Sequence, residues 1–163
     1  MQDADVTVLI IDENHARATI IEEGLREAGH MRVAVVSELK GLVRSIDEIA
    51  PDVIVMDLGN PNRDLLEHMF RVSKASRKPV AMFVDSSDDQ SMFAAVEAGV
   101  SAYVVDGLKK DRVKTILDLA ILRFRAFERL REERDAAMKQ NRRIADIAQA
   151  VVASAELLQG DGK

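Results

Sequence analysis

The chain contains no cysteine, which excludes disulfides, thiol nucleophiles, iron–sulfur clusters and cysteine-ligated zinc together. Tryptophan is absent too, and only 3 prolines punctuate 163 residues, leaving long stretches free to be helical. The 3 histidines, His15, His30 and His68, are too few for a histidine-rich metal site. No apolar run approaches the roughly 20 residues that span a bilayer, and residues 1–6 are polar and acidic rather than leader-like. The expectation is a cytoplasmic protein with no membrane partner. Hydrophobic residues at 47% and charged residues at 31% suit a folded chain.

Charge is present but unevenly placed. The formal net charge is −5, which argues against wholesale binding to nucleic acid or anionic membrane. Residues 1–122 carry 14 Lys+Arg and 21 Asp+Glu, whereas residues 123–143 carry 8 and 4. An acidic body followed by a basic helical segment suggests two functions on one chain. A solvated helix face of mixed charge is the plainer alternative.

Five β-branched runs alternate with helical periodicity. Val6–Asp12, Arg32–Val36, Asp52–Asp57, Pro79–Val84 and Ala102–Val105 read as strands, several apolar enough to be buried on both faces. Between them, helical spacing links Ala16, Ile20, Ile21, Gly24, Leu25 and Ala28, with Asn14 as cap. A second helix, capped by Ser37, carries Leu39, Leu42, Val43, Ile46 and Ile49. A third shows Leu65, Leu66, Met69, Phe70 and Val72, and a fourth Phe93, Ala94, Val96 and Ala98. This order predicts an α/β fold: a five-stranded parallel sheet, doubly wound, with right-handed crossovers and helices on both faces.

After Lys109 the pattern never returns to strand. Val113, Leu117, Ala120, Phe124, Phe127 and Leu130 recur at spacings of three and four, a coiled-coil-like seam longer than a sheet-covering helix requires. The fifth helix is therefore expected to project, and an apolar seam without cover implies a homodimer. Residues 142–158 follow as an amphipathic helix with Ile144, Ile147, Ala148, Val151 and Val152 on one face. The predicted organisation is a sheet-containing body over 1–122, an extended helix over 109–138, and a C-terminal segment over 139–163.

In an open parallel sheet, ligands bind beyond the carboxyl ends of the strands where the winding direction reverses. Strands one and three bring Asp12, Glu13 and Asp57 there. Three converging carboxylates repel unless a hard cation joins them, and Mg²⁺ is the natural candidate. With that charge offset, Asp57 could attack a phosphoryl group. Alternatively, the aspartates are strand-end turn residues that cap exposed amides. His15 reads as a surface residue at a helix start.

The segments Ile10–Glu13, Val53–Pro61, Pro79–Asp85 and Glu97–Val105, in this order and spacing, resemble the two-component receiver domain. The resemblance implies a phosphoacceptor position at Asp57, a metal-binding acid pair at Asp12 and Glu13, and a switch aromatic at Tyr103. Two positions depart from the receiver pattern. Val84 stands where a Thr or Ser hydroxyl is usual, and Asp106–Gly107 stands where Lys–Pro is usual. An acid in place of that lysine turns attraction for a phosphoryl group into repulsion. Phosphorylation is then not expected to be the main switch.

Further matches at Asp12–His30, Asn60–Phe70, Arg77–Asp85 and Ala94–Leu108 make the chain similar to ANTAR-type antitermination regulators, within them the nitrate/nitrite-responsive NasT group. Val84 and Asp106–Gly107 belong to that group's pattern. The resemblance implies a dimer that binds paired hairpins in leader RNA, held in check by a ligand-sensing nitrate/nitrite partner protein. Residues 141–158 resemble the last helix of the ANTAR module, but the earlier ERAKGxLM-like helix has no counterpart. Between about Asp135 and Gln140 the chain runs directly onward, so most of the RNA-binding surface is lost or missing there. Lys139, Arg142 and Arg143 remain as weak, phosphate-directed contacts. Residues 109–158 thus read either as an RNA-binding region or as a dimerising helix. The other class of reading is a phosphorylation-dependent receiver (Asp57 with Mg²⁺) that dimerises, and a third is an inert interaction domain. No P-loop, nucleophile elbow, HExxH or Rossmann glycine set points to an enzyme.

Overall fold

The computed structural model describes residues 6–30 and 32–160, with side chains to residue 157. Residues 1–5, which include most of the acidic start, and residues 161–163 of the C-terminal segment lie outside the described residues. The elements run β1 (Thr7–Ile11), α1 (His15–Glu27), β2 (Arg32–Val36), α2 (Leu42–Ile49), β3 (Val53–Gly59), α3 (Arg63–Ser76), β4 (Val80–Val84), α4 (Asp89–Glu97), β5 (Ala102–Val105) and α5 (Val113–Gly160). All pairings are parallel, in the order β2-β1-β3-β4-β5. The predicted α/β sheet is therefore observed.

Strand alternation sorts the core into two layers. Val8, Ile10, Val53, Val55, Ala81 and Phe83 face α1 and the start of α5. Leu9, Ile11, Ile54, Met56, Val80 and Met82 face α2, α3 and α4. Because both faces are covered, the central strands read as unbroken apolar runs rather than alternating ones. Asn14, Asn62 and Asp88 cap α1, α3 and α4 by accepting from backbone amides three residues on.

Several helix faces differ from the sequence reading. In α1 the buried set is Ala18, Ile21, Gly24 and Leu25, while Ala16 and Ile20 are exposed. Ser37 caps nothing: α2 begins at Leu42, because Gly41 takes a left-handed conformation (φ +74°) that ends the preceding loop. Leu39 packs on the core from that loop, and Val43 is exposed. On α4 only Ala95 is buried, whereas Phe93 and Val96 are 71% and 69% exposed. Ala95 is the α4 residue buried in the core layer, with Ala94 and Ala98 partly buried beside it.

The chain divides into two units, 1–124 and 125–163. Within the first, Val113, Leu117 and Ala120 are fully buried in the layer shared with α1. They are not available as an exposed dimer seam. A helix that covers a sheet uses the same spacing of three and four as a coiled coil, and here the sheet takes this part of it. Phe124 is half-buried, while Phe127 and Leu130 are exposed. Across 135–140 the helix is unbroken, so the extended helix and the C-terminal helix of the sequence reading are one element. Among the described residues, no helix is long and apolar enough to cross a membrane.

Candidate functional site: an acidic pocket with an arginine in it

The pocket sits at the carboxyl ends of β1 and β3, the two strands from which the chain winds in opposite directions. Asp12 follows β1 directly and is 1% exposed. Asp57 lies within β3 rather than at its end, and is also buried. The strand continues to Gly59 because a register shift between Asp57 and Gly59 lets it keep pairing with β4. Each aspartate caps a nearby amide: Asn14 N donates to Asp12 Oδ1 at 2.8 Å, and Gly59 N donates to Asp57 Oδ1 at 3.2 Å. The turn-residue reading of these acids is thus part of what they do.

The remaining part involves Arg17, a residue that sequence reasoning passed over. Its Nε and Nη2 donate to Asp12 Oδ2 and Oδ1, both at 2.8 Å, a bidentate pair. The same guanidinium approaches Asp57, with Nε 3.4 Å from Oδ2 and Nη2 3.4 Å from the backbone oxygen. Asp12 raises the Arg17 pKa further, chiefly through the hydrogen bond. Burial pushes the Asp57 carboxyl above its ordinary range, aided by Asp12 and Asp85, and opposed by Arg17 and the Gly59 amide. The only sequence signal was position: Arg17 falls one turn past the Asn14 cap, where the start of α1 faces the end of β1.

The predicted metal triad is not assembled. Glu13 is exposed, although it contributes to the pocket wall. Among the described residues no group of three or more histidines or acids is arranged to hold a metal ion. The resemblance drawn from the sequence implies Mg²⁺ at these acids, but here the guanidinium contacts both Asp12 and Asp57 and only about 20 Å³ of cavity remains. In this arrangement the residues do not fit the ion.

None of the three switch positions is among the residues that line the acidic pocket. Val84 is fully buried at the end of β4, with no hydroxyl to offer. Tyr103 is half-buried, and its hydroxyl lies 2.9 Å from Ser87 Oγ. Asp106 is exposed, at φ +77°, in the bend after β5. The third acid felt by Asp57 is Asp85 rather than Asp106, since the Asp85 amide donates to Gly59 O at 2.7 Å and sets the residue beside β3. Of the two lysines after β5, Lys110 pairs with Glu27 at 2.7 Å, and Lys109 is exposed outside the pocket wall. On the second unit Lys139, Arg142 and Arg143 are all exposed.

Comparison with known proteins agrees with the fold. A family model described as response regulator receiver domain matches residues 8–118. The chain is 26% identical over 145 residues to the transcriptional regulatory protein YdfI of Bacillus subtilis, covering 83% of this chain. It is 27% identical over 135 residues to the transcriptional regulatory protein PdtaR of Mycobacterium tuberculosis, covering 80% of this chain. It spans 66% of the length of each of those relatives. A two-component response regulator structure from Clostridium difficile superposes with a TM-score of 0.61 at 19% identity, covering 73% of this chain and 97% of that one. A sheet in this strand order, with an aspartate on β3 and the family match across most of its length, places this chain in the response regulator receiver domain family.

Proposed function

We propose that this response regulator controls transcription antitermination, binding leader RNA hairpins as a dimer under the control of a ligand-sensing partner protein in nitrate/nitrite assimilation. The observation that carries the reading is the second unit: a helix whose Lys139, Arg142 and Arg143 are all exposed, and which retains the C-terminal segment that resembles an ANTAR module. Two of its relatives are named as transcriptional regulatory proteins, which supports a role in gene expression. The protein acts by binding, without turnover of a substrate. Exposed apolar residues on the same helix, Ile144, Ile147, Val151 and Val152, give a second copy something to cover.

The test is a gel-shift titration with a two-hairpin leader RNA and a scrambled control at several salt concentrations. Specific recognition predicts that the hairpin RNA binds at least about tenfold more tightly than the control at each salt concentration. Equal, steeply salt-dependent binding of both RNAs would reject it, since phosphate contacts alone read no sequence.

A second reading, a phosphorylation-dependent receiver that dimerises, is favoured by one observation: Asp57 is on β3 beside Asp12, within the receiver match. Labelling of the protein by a small phosphodonor with Mg²⁺, abolished in Asp57→Asn, is its expected outcome.

A further inference from the structure

The acidic pocket contains its own counterion, and the surroundings are shaped for it. Arg17 forms two 2.8 Å bonds to Asp12 and lies 3.4 Å from both Asp57 Oδ2 and the Asp57 carbonyl oxygen. Gly59 supplies a second, independent sign. A Cβ on that residue would stand 2.9 Å from Arg17 Nη1, and its backbone is left-handed at φ +59°, so the chain leaves room where the guanidinium passes. Among the described residues no other basic side chain lines the pocket.

A hydrated ion and this guanidinium exclude each other. Mg²⁺ requires six oxygens at close to octahedral angles and keeps several waters. The roughly 20 Å³ left beside Arg17 holds about one water molecule. Asp12 has both oxygens committed to Arg17, so the ion would have to take them from it. The exchange is sterically open, because the Arg17 side chain is 38% exposed and springs from the first turn of α1. It can swing to solvent while Asn14 holds the helix start in place.

We propose that Arg17 is the resident cation of the Asp12–Asp57 pocket and that a divalent metal ion binds there only in exchange for it. The receiver then has two mutually exclusive states, arginine-closed and metal-bound. Metal affinity is reduced by the free energy needed to release the guanidinium. The inference concerns the first unit and stands apart from any RNA binding by the second.

The experiment titrates the complete chain with Mg²⁺ by calorimetry, comparing wild type, Arg17→Ala and the double variant Arg17→Ala/Asp57→Asn. Arg17→Ala is expected to bind Mg²⁺ at least about tenfold more tightly than wild type, and the added Asp57→Asn change is expected to remove that gain. Equal affinity in wild type and Arg17→Ala, or a gain that survives loss of Asp57, would overturn the proposal. If Arg17→Ala fails to fold alone, recovery of its circular dichroism on adding Mg²⁺ is the same result, and no recovery overturns it. Simple repulsion is separated from exchange by the Arg17 Nε–H resonance of the wild type. At saturating Mg²⁺ it should move to the position of a solvated arginine; metal bound with that signal unmoved would sink the exchange.

Discussion

At Asp57, burial, aided by Asp12 and Asp85, raises the carboxyl pKa more than Arg17 and the Gly59 amide lower it. A folded-state value above the unfolded one means that the native state holds the proton more firmly. The resulting stability is fully present below the unfolded carboxylate pKa and is lost as pH rises through the folded value. At neutral pH the ionised Asp57 is therefore a net liability. Asp57→Asn, which keeps an oxygen for the Gly59 amide, should raise the melting temperature at pH 7. That advantage should shrink as pH falls through the ordinary carboxylate range, and a melting series from acid to neutral pH checks it. Of these residues, Asp12 and Asp57 were legible because an acid that ends or interrupts an apolar strand is conspicuous. Arg17 was not: on a helix exposed along one side, an arginine looks solvated until β1 and β3 are set beside it.

For an element, the informative case is α5, where one periodicity serves two surroundings. Leu117 is fully enclosed between α1 and the sheet, whereas Phe127 is 59% exposed. Leu117→Ala should cost about 2–5 kcal/mol in urea unfolding, the range for a cavity in a packed core. In dilute protein Phe127→Ala should stay within about 0.5 kcal/mol of wild type. Equal losses would mean that the helix face has been assigned wrongly. The same logic explains the other helix corrections. On α1 Ile21 and Leu25 are buried while Ile20 is exposed, and on α4 Ala95 is buried while Phe93 and Val96 are exposed. Hydrophobic spacing locates a helix but cannot by itself choose between two apolar stripes. Strand positions were clearer, because burial on both faces leaves no polar alternation to misread.

In the whole molecule, exposed apolar residues on the second unit bear on assembly. Phe127, Leu130, Ile144, Ile147, Val151 and Val152 are all exposed along one helix, whereas the apolar residues of a helix ordinarily face a core. Sedimentation across a wide concentration range should show reversible self-association, and pairing Phe127→Glu with Ile147→Glu should shift the protein to monomer. A monomer at every concentration would contradict the proposed dimer, and with it the model of paired hairpin recognition. The basic segment 123–143 was visible as composition, yet composition cannot say whether its arginines meet phosphate, acid side chains or water; Arg131 and Arg134 in fact meet Glu128 and Asp135.

The order of strands and helices, the two-faced burial of the sheet and the acids at its carboxyl edge are written locally, in short-range patterns of apolar and charged residues. They could be read without coordinates because each depends on neighbours a few positions apart. What occupies the acidic pocket depends on groups far apart in the chain. Arg17 reaches across 40 residues to Asp57, Asp85 outranks Asp106 as the nearby third acid, and Gly59 clears the space between. Only folding brings those charges within a few ångströms of one another in a buried setting, where Coulomb forces are strong enough to decide which cation stays.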